Sequence, residues 1–132
     1  MPHDGSAPMT DSPVLTDLLE LTGMAVPAAE DLLDRAKAVV CEAVTEGGKV
    51  SGALIEVHQT AAHGLAWMAT YVEALRQMQG WAERLESEGK FGELEALIHQ
   101  IAFGEYLWQL YGGLPASQTE NIHPQALGLR QD

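Results

Sequence analysis

The residue types that could do chemistry are few and scattered. Five histidines, His3, His58, His63, His99 and His123, and the single Cys41 are the natural soft metal ligands. A di-iron bundle site takes a Glu-x-x-His motif from each of two helices, so that both ligands point inward. No such pair of helical motifs occurs here. His58 and His63 are five apart, about 140° around a helix, and cannot share a metal on an undistorted one. Glu95 and His99 have the spacing of an ordinary helix-surface pair. The histidines are therefore expected on solvated faces or at an inter-helix edge. Cys41 stands between Val40 and Glu42, which do not supply the electropositive setting a reactive thiolate needs. It is expected as a small buried or half-buried thiol. Ser117 lies outside any Gly-x-Ser-x-Gly elbow, and no Gly-x-Gly-x-x-Gly or phosphate-binding loop is present. No catalytic, cofactor-binding or metal-binding residue is assigned.

The aromatic residues carry more information. Trp67, Tyr71, Trp81, Phe103, Tyr106, Trp108 and Tyr111 fall on two long helical stretches. Tyr and Trp join an apolar body to a polar tip, which suits both a core edge and an interface. Together with apolar residues of the C-terminal segment they give the candidate interaction set: Trp67, Tyr71, Gly104, Tyr106, Trp108, Tyr111, Leu114, Ile122 and Leu127.

The composition limits the partners. With 19 acidic and 7 basic residues in 132, the formal net charge is −12. Nucleic-acid binding rests on neutralising phosphates with Lys and Arg, so it is not expected. An anionic membrane surface is excluded on the same ground, and no apolar run approaches the ~20 residues that span a bilayer. The first residues lack the basic start and apolar run of a secretory signal. One cysteine precludes an internal disulfide. The expectation is a cytoplasmic protein.

The elements that must position these residues are helices. Residues 1–12 are Pro-, Gly- and Ser-rich and read as a disordered lead. Residues 13–112 read as a helical bundle domain. A short helix over 13–22 is capped by Ser12 or Asp11 and stopped by Gly23. A second runs from Ala28 after Pro27 and is stopped by Gly47-Gly48. A third, capped by Ser51, carries Val50, Leu54, Val57, Ala61, Leu65, Met68, Val72, Leu75, Met78, Ala82 and Leu85, recurring about every 3.5 residues. Unbroken, it would span roughly 54 Å, against a diameter near 36 Å for a compact globule of this size. Gly64 and Gly80 are the candidate break points; an unbroken or gently bent helix in an elongated hairpin is favoured. The fourth helix starts at Phe91-Gly92-Glu93 and ends at Gly112-Gly113. Its Leu94, Leu97, Ile98, Ile101, Trp108 and Tyr111 share one side with Gly104, which would admit another backbone. A partly buried Glu105 beside that stripe would need a partner. The short loop Glu88–Gly92 makes helices three and four an antiparallel pair. Residues 113–132 form an extended apolar tail, packed on this bundle or on a partner. The fold class is all-α: an elongated helical bundle built on a long antiparallel helix hairpin, with one or two shorter helices and that tail.

The runs Ala62-His63-Gly64-Leu65-Ala66-Trp67, Thr70-Tyr71-Val72-Glu73-Ala74-Leu75-Arg76 and Gly104-Glu105-Tyr106-Leu107, with Gly112-Gly113 and Ser117-Gln118 after them, carry a resemblance. From about Lys49 to Leu129 the chain resembles the N-terminal helical extension of methylsuccinyl-CoA dehydrogenases, unusual acyl-CoA dehydrogenases of the ethylmalonyl-CoA pathway. In that family a flavin core follows the extension and carries FAD, the acyl-CoA thioester and a glutamate base. The resemblance places that core outside this sequence, so no catalytic or FAD residue is carried over, and FAD is expected only on a partner or missing core. Where the family favours a basic residue before Pro124, this chain has His123.

Three functions follow. The first is a non-catalytic helical module that docks on an acyl-CoA dehydrogenase core, in cis or in trans. The second is a self-associating protein, most simply a homodimer. The third is a small-ligand binder for an acyl-CoA, for which Arg76, Arg84 and Lys90 are the nearest approach to a phosphate-binding cluster.

Overall fold

The computed structural model describes residues 12–115 and 121–130. The lead over 1–11, and Ser117 and Gln118, lie outside the described residues. Three long helices make an all-α bundle: α1 (Leu18–Ala43), α3 (Gln59–Ser87) and α4 (Glu93–Gly112). Between α1 and α3 lie a two-strand ribbon, β1 (Thr45–Glu46) with β2 (Lys49–Val50), and the short α2 (Gly52–Val57). A second ribbon, β3 (Leu114–Pro115) with β4 (Asn121–Ile122), and a 3-10 turn over Pro124–Leu127 follow α4.

The two helices expected before residue 45 are one. α1 runs through Gly23 with Pro27 inside it. An interior proline costs about 3 kcal/mol, because it removes a hydrogen bond and crowds the preceding turn. Here Pro27 is on the exposed side, while Leu18, Thr22, Val26, Ala29, Ala36 and Val40 are buried along the other. Tertiary burial on both sides of the proline overrides the local stop signals.

Gly47-Gly48 is a hairpin turn rather than a helix cap. Its φ angles, +58° and +78°, are positive at both central positions, and Thr45 pairs with Val50 and Glu46 with Lys49. A two-residue hairpin loop needs that left-handed backbone, which glycine adopts without strain.

The long third helix does break, but at His58, not at Gly64 or Gly80. Ser51 caps α2 as expected, its Oγ accepting from the Leu54 N–H at 3.4 Å. Beyond the break α3 has 29 residues, about 44 Å of helix. Met68, Val72, Leu75 and Ala82 of the 3.5-residue seam are buried, whereas Val50 and Val57, before the break, are exposed.

The helix directions follow from side-chain contacts. Gln79 of α3 donates to the Leu19 carbonyl, and Arg76 meets Glu30 further along α1. Residues 15–25 face 100–107, and residues 25–35 face 107–111. So α1 and α4 run parallel, and both run antiparallel to α3. The α3–α4 pair is the expected hairpin, with Glu95 capping α4 by accepting from the Gly92 N–H at 3.1 Å. α3 packs most extensively on α1.

His99 departs from its expected solvated setting. It is fully buried, between Phe91 and Phe103. Its Nε2 lies 2.9 Å from Thr22 Oγ1, whose own proton goes to the Leu18 carbonyl at 2.9 Å. Nε2 therefore donates, and Nδ1 carries a buried lone pair without a partner among the described residues. Burial pushes the imidazole below its usual pKa, and Glu83 opposes this only in part. The folded state thus refuses a proton that the unfolded chain takes up near pH 6.5. Stability is expected to fall as the pH drops below about 6.5, by no more than about 1.4 kcal/mol per pH unit from this group. Urea midpoints of the native chain and His99→Gln at pH 7, 6 and 5 check it. The variant should show a flatter dependence; parallel curves would contradict it.

Candidate docking face

α4 is apolar on both sides. Its core side is Ala96, His99, Phe103 and Leu110, all buried. The other side is the stripe read from the sequence beside Gly104: Leu94, Leu97, Ile98, Ile101, Trp108 and Tyr111, all exposed but the half-buried Leu97. It faces outward, with Ile101, Trp108 and Tyr111 at 62%, 69% and 64% exposure. Two apolar stripes on one helix give the same period, and period alone does not choose which is covered. Large apolar side chains normally face a core, yet among the described residues nothing covers these, which flank the exposed Glu105.

α1 extends that face. Leu15, Leu21 and Met24 are exposed, and an apolar groove runs between α1 and α4. One stretch is lined by Leu18, Leu21, Ala25, Phe103, Gly104 and Leu107. The next holds about 300 Å³ over Ala25, Ala28, Ala29 and Leu32, facing Leu107 and Tyr111. Scattered exposed apolar residues are ordinary, but a contiguous set on neighbouring helices marks an interaction surface.

The candidate residues divide into three groups. Gly104, Trp108 and Tyr111 are exposed on this face, and Gly104 has open space where a side chain would stand. Trp67, Tyr71 and Tyr106 are half-buried and belong to an aromatic ladder that ties α3 to α4. Trp67 Nε1 donates to His63 Nε2 at 3.0 Å, and Tyr71 stacks on Tyr106 with ring centroids 4.8 Å apart. Burial and the neighbouring Tyr106 hold the Tyr71 hydroxyl above its usual pKa. Leu114, Ile122 and Leu127 are buried in the chain's own core. The tail therefore packs on its own bundle, where Ile122 and Leu127 lie against Gly64. Sequence reasoning missed Leu15, Leu21, Met24 and Ala28, because the expected stop at Gly23 hid the continuity of α1.

Two other expectations change. Cys41 is exposed, not half-buried, and so is Glu105. The basic cluster proposed for CoA phosphates is largely occupied. Arg76 is paired with Glu30 and Glu73, and Lys90 with Glu88. A phosphate would have to displace those carboxylates. The groove's lining is mostly apolar, and its charged residues are Arg35 and Arg130. Among the described residues no group of three His, Cys, Asp or Glu side chains is placed to hold a metal ion. No helix among them is long and apolar enough to cross a membrane.

No family model matches the chain. It is 56% identical over 121 residues, 92% of its length, to the (2S)-methylsuccinyl-CoA dehydrogenase of Cereibacter sphaeroides. The chain spans 22% of the length of that curated relative. The resemblance read from the motifs of α3 and α4 is thereby borne out.

Proposed function

We propose that this chain is a non-catalytic helical module that docks on a flavin-dependent acyl-CoA dehydrogenase core, in cis or in trans. The observation that carries the proposal is the uncovered apolar stripe of α4, on a chain similar to a fifth of such an enzyme. Residues that would be core in a self-sufficient bundle face outward, and the similar dehydrogenase has most of its length outside the matched region. FAD, the thioester and the catalytic base belong, in this proposal, to the core. The module keeps the core's company in the cytoplasm and, through it, in the ethylmalonyl-CoA pathway. Its own contribution is a rigid covering surface.

The test is affinity recovery of the chain from its source lysate, read by mass spectrometry and flavin absorbance. Stoichiometric recovery of a flavin acyl-CoA dehydrogenase supports docking. A stable homodimer without dehydrogenase, seen by sedimentation at several concentrations, replaces docking by self-association. Heat on calorimetric titration of the chain with a short acyl-CoA would favour a ligand-binding role instead.

A further inference from the structure

α1 rests on two different grounds. From Val26 onward its buried residues, Ala29, Ala36 and Val40 among them, join the main apolar core, whereas Leu18 is buried outside that cluster. The stretch before Gly23 is held by Leu18 and by polar side chains of the neighbouring helices. Gln100 of α4 donates to the Pro13 carbonyl at 2.9 Å and accepts from the Leu15 N–H at 2.8 Å. Gln79 of α3 donates to the Leu19 carbonyl at 3.2 Å, and His99 Nε2 donates to Thr22 Oγ1 at 2.9 Å. Between the two grounds stands Pro27. It has no N–H to give the Gly23 carbonyl, and its ring crowds that carbonyl, so this is the weak turn of α1. The polar contacts also leave two buried acceptors, Gln79 Oε1 and His99 Nδ1, without a partner among the described residues. Opening this end of α1 gives both to water.

We infer that residues 13–22 are a hinged strap that opens about the turn 23–27 while the rest of the bundle stays folded, and that a proton taken up by His99 releases it. The closed strap holds the imidazole out of water between Phe91 and Phe103. Of the charged groups around it, Glu83 of α3 favours the proton, but burial outweighs it. Asp17 and Glu20 of α1 are exposed, and Glu95 of α4 is spent on the Gly92 N–H. With the strap open the ring meets water and titrates near pH 6.5. The open state thus binds a proton that the closed state refuses, and opening is favoured as the pH falls below about 6.5. Opening also carries Leu15, Leu18 and Leu21 away from Phe103 and Gly104, which dismantles one wall of the groove. The strap is a property of the free chain and does not rest on docking.

The test is native-state amide hydrogen exchange of the whole chain, read by NMR. The N–H groups of residues 22–26 bond to the carbonyls of 18–22 and so report the strap, while those of 31–40 report the rest of α1. The expected result at pH 7 is weaker protection over 22–26 than over 31–40. At pH 5, after correction for the intrinsic rate, protection over 22–26 should fall by about tenfold. In His99→Gln, whose amide can still donate to Thr22 but does not titrate, that fall should vanish. In Pro27→Ala, at an exposed position, protection over 22–26 should rise about tenfold as the missing helix bond is restored. Equal protection over 22–26 and 31–40, or no rise in Pro27→Ala, overturns the hinge. A strap that opens no more at pH 5 than at pH 7, or as steeply in His99→Gln as in the native chain, overturns the proton's role. Should His99→Gln not fold, the native chain at the two pH values and Pro27→Ala decide the matter.

Discussion

The variant carrying Ile101→Ala and Trp108→Ala is expected to bind the dehydrogenase 100-fold or more weakly than the native chain while keeping its fold. Both side chains are exposed on the outer stripe of α4, so truncating them opens no cavity in the bundle. Buried aromatic and aliphatic anchors at the centre of an interface each lose about 2–4 kcal/mol when cut to alanine, and every 1.4 kcal/mol is tenfold in affinity. The pair should act additively or better, since residues 101 and 108 are two turns apart on the same face. Helicity and urea midpoint should stay near the native values, because surface truncations are usually worth within about 0.5 kcal/mol. Binding by calorimetry, with circular dichroism beside it, checks both halves. Unchanged affinity would remove this face from the docking surface.

The two glycines within α3 should respond in opposite directions. Gly64→Ala is expected to destabilise the chain by roughly 1–3 kcal/mol, the usual range for overpacking a core. A Cβ at Gly64 would stand 2.5 Å from Ile122 Cγ2, with Ile122 Cδ1 and Leu127 Cδ2 at 3.2 and 3.3 Å. Ile122 and Leu127 are both buried, so neither can swing away without lifting the tail from the bundle. Gly80→Ala is expected to stabilise by up to about 1 kcal/mol, the helix-propensity difference, because nothing lies within 4 Å of that Cβ. Denaturation midpoints of the two variants check the contrast. Equal and stabilising effects would mean that the tail is not packed on α3 as described.

These glycines also show how far the sequence could be read. Both were legible as interruptions of a helical pattern, and neither breaks the helix. Gly64 is there because the tail crosses over it, a contact with a segment some sixty residues later that no local pattern announces. The break at His58 had no local signal of that kind. The helical class, the α3–α4 hairpin and the apolar tail followed from period and punctuation. The merging of two helices into α1 did not, since it depends on what Val26, Ala29 and Ala36 bury against. The stripe Leu94, Ile98, Ile101 and Trp108 was legible as apolar, but its side of the bundle was not. α4 has two such stripes, and the one holding His99 and Phe103 won the core because Thr22 and α3 are shaped to receive it. The relation to a dehydrogenase came from long motif identity, not from composition.

The central claim is that the face between α1 and α4 is covered by the dehydrogenase. It is tested most directly by oxidative footprinting of the unmodified chain, free and in the complex. Met24 and Trp108 are 66% and 69% exposed on that face, Cys41 is exposed away from the groove, and Met68 is buried. The account predicts that oxidation of Met24 and Trp108 slows several-fold in the complex while Cys41 keeps its rate and Met68 stays inert. A complex in which Met24 and Trp108 oxidise as fast as in the free chain would contradict it.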